Sequence, residues 1–276
     1  MNPFEVTRGD GPVVLGVPHS GTFVPADIWQ RLTSIGQKLA DTDWHVDRLY
    51  EGLLPGVTMV RANFHRYVID ANRDPEGVSL YPGQNTTTLC PTTDFDGKPI
   101  YLEDEAPADE EIETRRLAWH APYHAALQSE LERVHARHGV SILYDCHSIR
   151  SRVPYLFEGA LPDFNTGTNG GATCAPEIEH AVFERTENAD GYTAVLNGRF
   201  KGGWTTRHYG RPEEGFHAIQ MELAQITHLV SEDTPFAYDE DKAERLRSHL
   251  KDILEALAAL APTLSRTANE DPGSAS

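Results

Sequence analysis

The sequence predicts a three-layer α/β/α fold, a sheet covered by helices on both faces. Three observations carry that expectation. Runs at 12–19, 139–147 and 217–224 are almost continuously apolar instead of alternating, the pattern of strands buried on both sides. Helix-length segments lie between and after them, at roughly 34–52, 110–138 and 239–261. The chain has 276 residues, 39% hydrophobic and 24% charged, which suits one soluble α/β enzyme domain with a large core.

Taken in order, PVVLGVPH (12–19) reads as the first buried strand and runs out on His19, Ser20 and Gly21. The segment 34–52 reads as helical, with DTDWHVDRLY (41–50) at a helix start, where Asp41 and Asp43 have, as the alternative to a chemical role, that of only capping the helix and complementing its dipole. VTMVRANF (57–64) and YVIDAN (67–72) read as two further strands. The long helix 110–138 ends at Gly139, a suitable C-terminal stop. GVSILYDCH (139–147), YTAVLN (192–197) and HAIQMELA (217–224) complete the strands. The last helix, 239–261, opens on acids and is expected to stop before Pro262. Residues 73–109 and 150–190 are long, rich in Pro, Gly and Asn, and weakly periodic, and are expected to be ordered loops around a site. Residues 1–262 are thus read as a single catalytic domain and 263–276 as a polar, frayed tail.

The formal net charge is -18, from 42 acids against 24 Lys plus Arg. So acidic a surface argues against nucleic acid or an anionic membrane as partner, while a local arginine cluster can still receive an anionic small molecule. The first residues have no basic stretch followed by an apolar one, and no apolar run approaches the roughly 18 residues of a membrane span. Three irregularly spaced cysteines, Cys90, Cys146 and Cys174, do not describe a disulfide framework, so a cytoplasmic location is expected.

In open α/β sheets ligands sit at the carboxyl ends of strands. Here those ends carry polar residues beyond otherwise apolar frames: His19, then Asp70 to Arg73, then Asp145 to Ser148, with Glu222 inside AIQMELA. His19 and His147 form the expected metal pair, since neutral imidazole binds Zn²⁺ well and a catalytic zinc takes three protein ligands. The third ligand is expected from DTDWHVDRLY (41–50), where Asp43 and Asp47 are four apart; Asp43 is preferred because it stands nearer the helix start. Such ligands also accept Co²⁺ or Mn²⁺. A carboxylate amid the apolar frame of Glu222 is expensive to bury unless it is paired or working, and it is the expected general base. Arg66, Asn72 and Arg73 offer donors to carboxylates or to an oxyanion, and the glycine-rich stretch 197–210 adds Arg199, Lys201 and Arg207 as a binding loop for an acidic substrate. His120 and His124, four apart with Pro122 between them, are read as surface or packing residues. Adjacent strand residues face opposite ways, so Cys146 is expected in the core, with Asp145 on the side of His147 as its support.

Eight segments in order, VPHSGT, DTDWHVDRLY, RYVIDANRDP, LYPGQN, DCHSIRS, LFEGALPDFNTGT, NGRFKGGWTTRHYG and AIQMELAQ, resemble the N-formylglutamate amidohydrolase (N-formylglutamate deformylase) family over about residues 10–230. More distantly the set is similar to zinc carboxypeptidases and aspartoacylase. That comparison implies a mixed, largely parallel sheet, zinc on His19 and His147, an Asn72-Arg73 pair, and Glu222 as base. The wider group carries a Glu ligand three residues after its first His; this sequence has Thr22 there, so the carboxylate comes from elsewhere. The resemblance implies hydrolysis of N-formyl-L-glutamate to formate and L-glutamate, a last step of one histidine-degradation route. Arg73, Arg199 and Arg207 would hold the substrate carboxylates, and Arg66 or Arg73 would assist zinc at the formyl oxygen. The small formyl group suggests a tight pocket shaped by LYPGQN or NTGTNGG. Two rival readings use the same residues: a non-catalytic binding protein for an acidic N-acyl amino acid, and a cysteine hydrolase built on Cys146.

Overall fold

The structure, a computed structural model, describes residues 1–78 and 85–267. Its centre is one sheet of seven strands: β1 (Phe4–Thr7), β2 (Val13–Val17), β3 (Thr58–Ala62), β4 (Ser141–Ile149), β5 (Phe164–Gly167), β6 (Ala194–Leu196) and β7 (Phe216–Ala224), in the order β1-β3-β2-β4-β7-β5-β6. The four middle strands, β3, β2, β4 and β7, run parallel. At one edge β1 is antiparallel to β3; at the other β5 turns antiparallel to β7 and carries β6. The sheet is therefore mixed with a parallel heart, and its most apolar runs are the strands covered on both faces.

Among the described residues seven α-helices accompany it: α1 (Ala26–Trp29), α2 (Val46–Tyr50), α3 (Asp109–Arg115), α4 (Ala121–His138), α5 (Pro176–Glu187), α6 (Trp204–Tyr209) and α7 (Glu240–Thr267). The strand period of two divides the sheet residues between two cores. Leu15, Ile142, Tyr144, Cys146, Ile219 and Met221 pack with α2, α5 and α7 on one face. Val14, Leu143 and Ala218 pack with Tyr123, Leu127, Leu131 and Val134 of α4 on the other. The expected three layers are thus present.

Several elements differ from expectation, each for a local reason. Only Val46–Tyr50 of the expected helix 34–52 is a helix of more than three residues. Leu39 and His45 take left-handed φ of 50° and 60°, and the Asp43 amide bonds to the His19 carbonyl instead of a helical partner. Asp41 and Asp43 are buried and do not cap α2, whose first position follows His45. The expected strand 67–72 is an irregular buried segment, because β3 already pairs on both sides, with β1 and β2. Helices α3 and α4 join through a π-type turn at Arg116–His120, so the predicted 110–138 helix is continuous and ends at Gly139 in a left-handed conformation, φ 72°. Helix α7 passes the expected stop at Pro262 and runs to Thr267, because its apolar stripe of Leu250, Leu254, Leu257, Ala261 and Leu264 continues across the proline onto the sheet. The first residues of the expected tail are therefore helical; 268–276 lie outside the described residues, as do 79–84, most of LYPGQN. The stretch 150–190, read as loop, also contains β5 and α5.

Candidate active site

The parallel register decides what meets at the carboxyl edge of the sheet. Gly16 of β2 lies beside Asp145 of β4, so the chain leaving β2 brings His19 to the level of His147, and Glu222 of β7 is the direct partner of His147. The turn before α2 then crosses over this edge, anchored by the Asp43 amide on the His19 carbonyl, and delivers Asp43 to both imidazoles.

The two Nδ1 atoms stand 3.2 Å apart. Asp43 Oδ2 lies 3.3 Å from Nδ1 of His147 and 3.7 Å from Nδ1 of His19, all three residues being buried. Ligands on a tetrahedral ion at roughly 2.0–2.1 Å would be about 3.3 Å from one another, so the spacing fits such an ion. The outer nitrogens face carboxylates: Nε2 of His19 is 2.7 Å from Asp70 Oδ1, and Nε2 of His147 is 3.1 Å from Asp145 Oδ1 and 3.2 Å from Asn72 Nδ2. Carboxylates behind imidazoles hold protons on the outer nitrogens and turn the inner lone pairs toward one point. Two such lone pairs and a carboxylate oxygen, buried together, repel one another unless a cation stands between them, so the donor set suits a metal ion.

Charge around the cluster is arranged accordingly. Burial opposes ionisation of Asp43, yet Arg66 and the imidazoles hold its carboxyl well below the usual range. Arg66 Nη2 donates to Asp43 Oδ1 at 2.8 Å, and the Ser148 amide donates to Oδ2 at 3.1 Å. Asp70 is also held well below the usual range, against burial, chiefly by Arg73 and His19. Burial pushes Glu222 up to about 8, with Asp43 and Asp145 adding to it and His147 and Arg66 opposing.

These groups open onto a cavity of about 170 Å³. His19, His147 and Glu222 form its floor, while Arg66, Asn72, Arg73 and Arg199 line its polar sides. Arg73 is fixed by Thr87, donating through Nε to the carbonyl and through Nη2 to Oγ1, and Arg199 Nε donates to the Leu156 carbonyl. Phe95 and Leu156, from the expected long loops, supply apolar wall together with Ile149 at the end of β4 and Phe200.

The structure brings together eight residues singled out in the sequence: Asp43 joins the imidazoles, and His19, Arg66, Asn72, Arg73, His147, Arg199 and Glu222 line the cavity. Lys201 and Arg207 are not among the described residues that line it; Arg207 lies on α6 and donates to the Gly202 carbonyl. Asp47 pairs with Arg61 instead of joining the imidazoles. The NTGTNGG segment backs the cavity loop and does not line it; a Cβ on Gly167 would come within 2.5 Å of the Gly202 amide. Of LYPGQN, Asn85 is described, on the cavity wall. Cys146 sits in the α7-side core, where burial raises its thiol well above the usual value, which removes the cysteine-hydrolase reading. His120 and His124 are buried, not superficial; their Nε2 atoms donate to the carbonyls of Arg73 and Ala71 and brace the segment that carries Asn72. Sequence reasoning missed Gln220, although its place two residues before Glu222 on one strand face was available, and missed Phe95 and Leu156, which lie in loops without periodicity.

A site for a cation beside a buried acid, walled by arginines at the strand ends of a parallel sheet, is equipped for metal-assisted hydrolysis. Comparison with known proteins narrows the class. Residues 11–229 match the family model described as N-formylglutamate amidohydrolase. The chain is 46% identical over 255 residues to an N-formylglutamate deformylase of Pseudomonas aeruginosa and 43% identical over 253 residues to that of Pseudomonas putida, each match covering 91% of this chain and 94% of the relative. The crystal structure of an N-formylglutamate amidohydrolase from Ralstonia eutropha JMP134 superposes with a TM-score of 0.79 at 28% identity, covering 97% of this chain and 100% of the other. The class is that of amide-bond hydrolases. Within it, the chain belongs to the N-formylglutamate amidohydrolase family.

Proposed function

We propose that the protein hydrolyses N-formyl-L-glutamate to formate and L-glutamate, with a divalent ion, zinc by its donor set, on His19, Asp43 and His147 and with Glu222 as general base. The observation that carries this reading is the convergence of two Nδ1 atoms and one carboxylate oxygen beside Glu222. A cation held there would supply Lewis-acid polarisation of the formyl carbonyl and lower the pKa of both the attacking water and Glu222. Glu222 takes a proton from the water as its oxygen bonds to the formyl carbon, and returns that proton to the nitrogen as the C–N bond breaks. Arg73 and Arg199, both on the cavity wall, hold the substrate carboxylates, and Asn72 offers a neutral donor. Arg66 has a different task, since it is engaged by Asp43 and lies 4.0 Å from Asp70: it stabilises the ionised ligand. Three free, buried cysteines agree with a cytoplasmic setting, and the reaction suits a last step of histidine degradation.

The test is formate release from formyl-, acetyl- and formimidoyl-glutamate, measured alongside metal content for wild type and His147→Ala. A preference for the formyl substrate, with loss of both metal and turnover in the variant, is expected. Equal rates on the three substrates would defeat the specificity, and undiminished turnover by metal-free protein would defeat the mechanism.

A further inference from the structure

We infer that Gln220 is a positioning residue for Glu222, and that through it the loop bearing Arg199 and Phe200 aims the base. The inference rests on the reading of Glu222 as base. Gln220 and Glu222 are two apart on β7, hence on one face of the sheet, and both are buried on the cavity. The Gly203 amide donates to Gln220 Oε1 at 2.7 Å. A backbone N–H only donates, so this bond fixes which end of the side-chain amide is oxygen. Nε2 must then face Glu222, and it donates to Oε2 at 3.0 Å. One carboxylate oxygen is thereby tied, and Oε1 is left for proton transfer. The backbone of the base is held too, since Asn165 Nδ2 donates to the Glu222 carbonyl at 3.0 Å.

Glutamine is the residue this position requires. It must accept from an amide and donate to a carboxylate at once. A glutamate would set two carboxylates against each other, and an aliphatic side chain would leave both partners buried and unsatisfied. The loop end is equally constrained. A Cβ on Gly203 would stand 2.3 Å from Asn72 Nδ2, so only glycine lets its amide approach. Two positions on, the Thr205 amide donates to Asn72 Oδ1 at 2.9 Å, and Thr206 Oγ1 donates to Asp145 Oδ2 at 2.9 Å. Asn72 and Asp145 are the neighbours of His147 Nε2. The chain just before, with Arg199, Phe200 and Gly202, lines the cavity. One short segment therefore joins the substrate wall to the base and to the support of one imidazole.

The experiment compares Gln220→Met, Gln220→Glu, Glu222→Gln and the Gln220→Met/Glu222→Gln double variant, each as metal-loaded enzyme. kcat, KM, bound metal and Tm are measured. Gln220→Met is expected to lower kcat roughly ten- to a hundredfold, with KM and metal content within about twofold of wild type. Gln220→Glu keeps the acceptor and the shape but loses the donor, and is expected to lose kcat similarly, which covers the case of a Met variant that folds poorly. In the Glu222→Gln background the Met substitution should add nothing further, since both act through one carboxylate. A rise in KM at unchanged kcat would make Gln220 a substrate contact and overturn the inference. So would a full additional loss in the double variant. Wild-type turnover by Glu222→Gln would overturn the reading of the base itself, whereas an inactive Glu222→Gln beside fully active Gln220 variants overturns this inference alone.

Discussion

Among single residues, Asp43 bears the most. Its two oxygens serve different masters, Oδ1 the buried Arg66 and Oδ2 the imidazole pair. Asp43→Asn is expected to lower metal content and turnover together. It also leaves the Arg66 guanidinium short of a buried counter-charge, for which a loss of on the order of 3 kcal/mol is expected. Asp47→Asn, which touches only the Arg61 pair, should leave metal content and kcat near wild type; equal losses in the two variants would contradict the assignment. His19, His147 and Glu222 were legible in the sequence because each stands in or just beyond an apolar run, where a polar group needs a reason. Asp43 was legible only as one of two acids, because its placement depends on a turn with left-handed residues that periodicity does not encode. Arg207 was grouped with Arg199 on charge alone, and the structure places it on α6, outside the described cavity lining, because positive charge in a glycine-rich loop does not say which side chains turn inward.

At the level of elements, the central strands could be read directly, since burial on both faces leaves an unbroken apolar run. The segment 67–72 has the same signature and is not a strand: both edges of β3 are taken, so its apolar residues were buried by α4 instead. Apolar patterning reports burial, and pairing is decided elsewhere. Helix α7 shows the converse, its stripe outweighing the proline that was expected to end it. Leu250, fully buried on that stripe and remote from the cavity, gives the corresponding prediction. Leu250→Ala should destabilise by about 2–5 kcal/mol in urea unfolding, with kcat unchanged in the folded fraction. A loss below about 1 kcal/mol would show that α7 is dispensable to the core.

For the molecule as a whole, acid sensitivity follows from histidines buried without charge. Burial lowers His217 and His228 from 6.5 to about 4. The unfolded chain therefore binds protons near pH 6.5 that the folded chain refuses until about pH 4. The stability that depends on these two histidines is constant above that window, falls as pH drops through it, and levels off below. For the fully buried His228 the loss is on the order of 3 kcal/mol. Urea midpoints between pH 7 and 4 check this, and His228→Gln should flatten the curve; a slope untouched by that substitution would refute the account.

The three donors that meet at one point are positions 19, 43 and 147, brought in by separate stretches of chain. No fragment of the polypeptide owns the trio, so an ion that prefers it can tell a finished molecule from an unfinished one. On the proposed reading, saturating divalent ion should raise the melting temperature and a chelator should lower it. At a thousandfold excess over Kd the gain is roughly 4 kcal/mol. Assembly of the chain and loading of its ion then become one thermodynamic event, with the catalyst complete only when the last strand has docked.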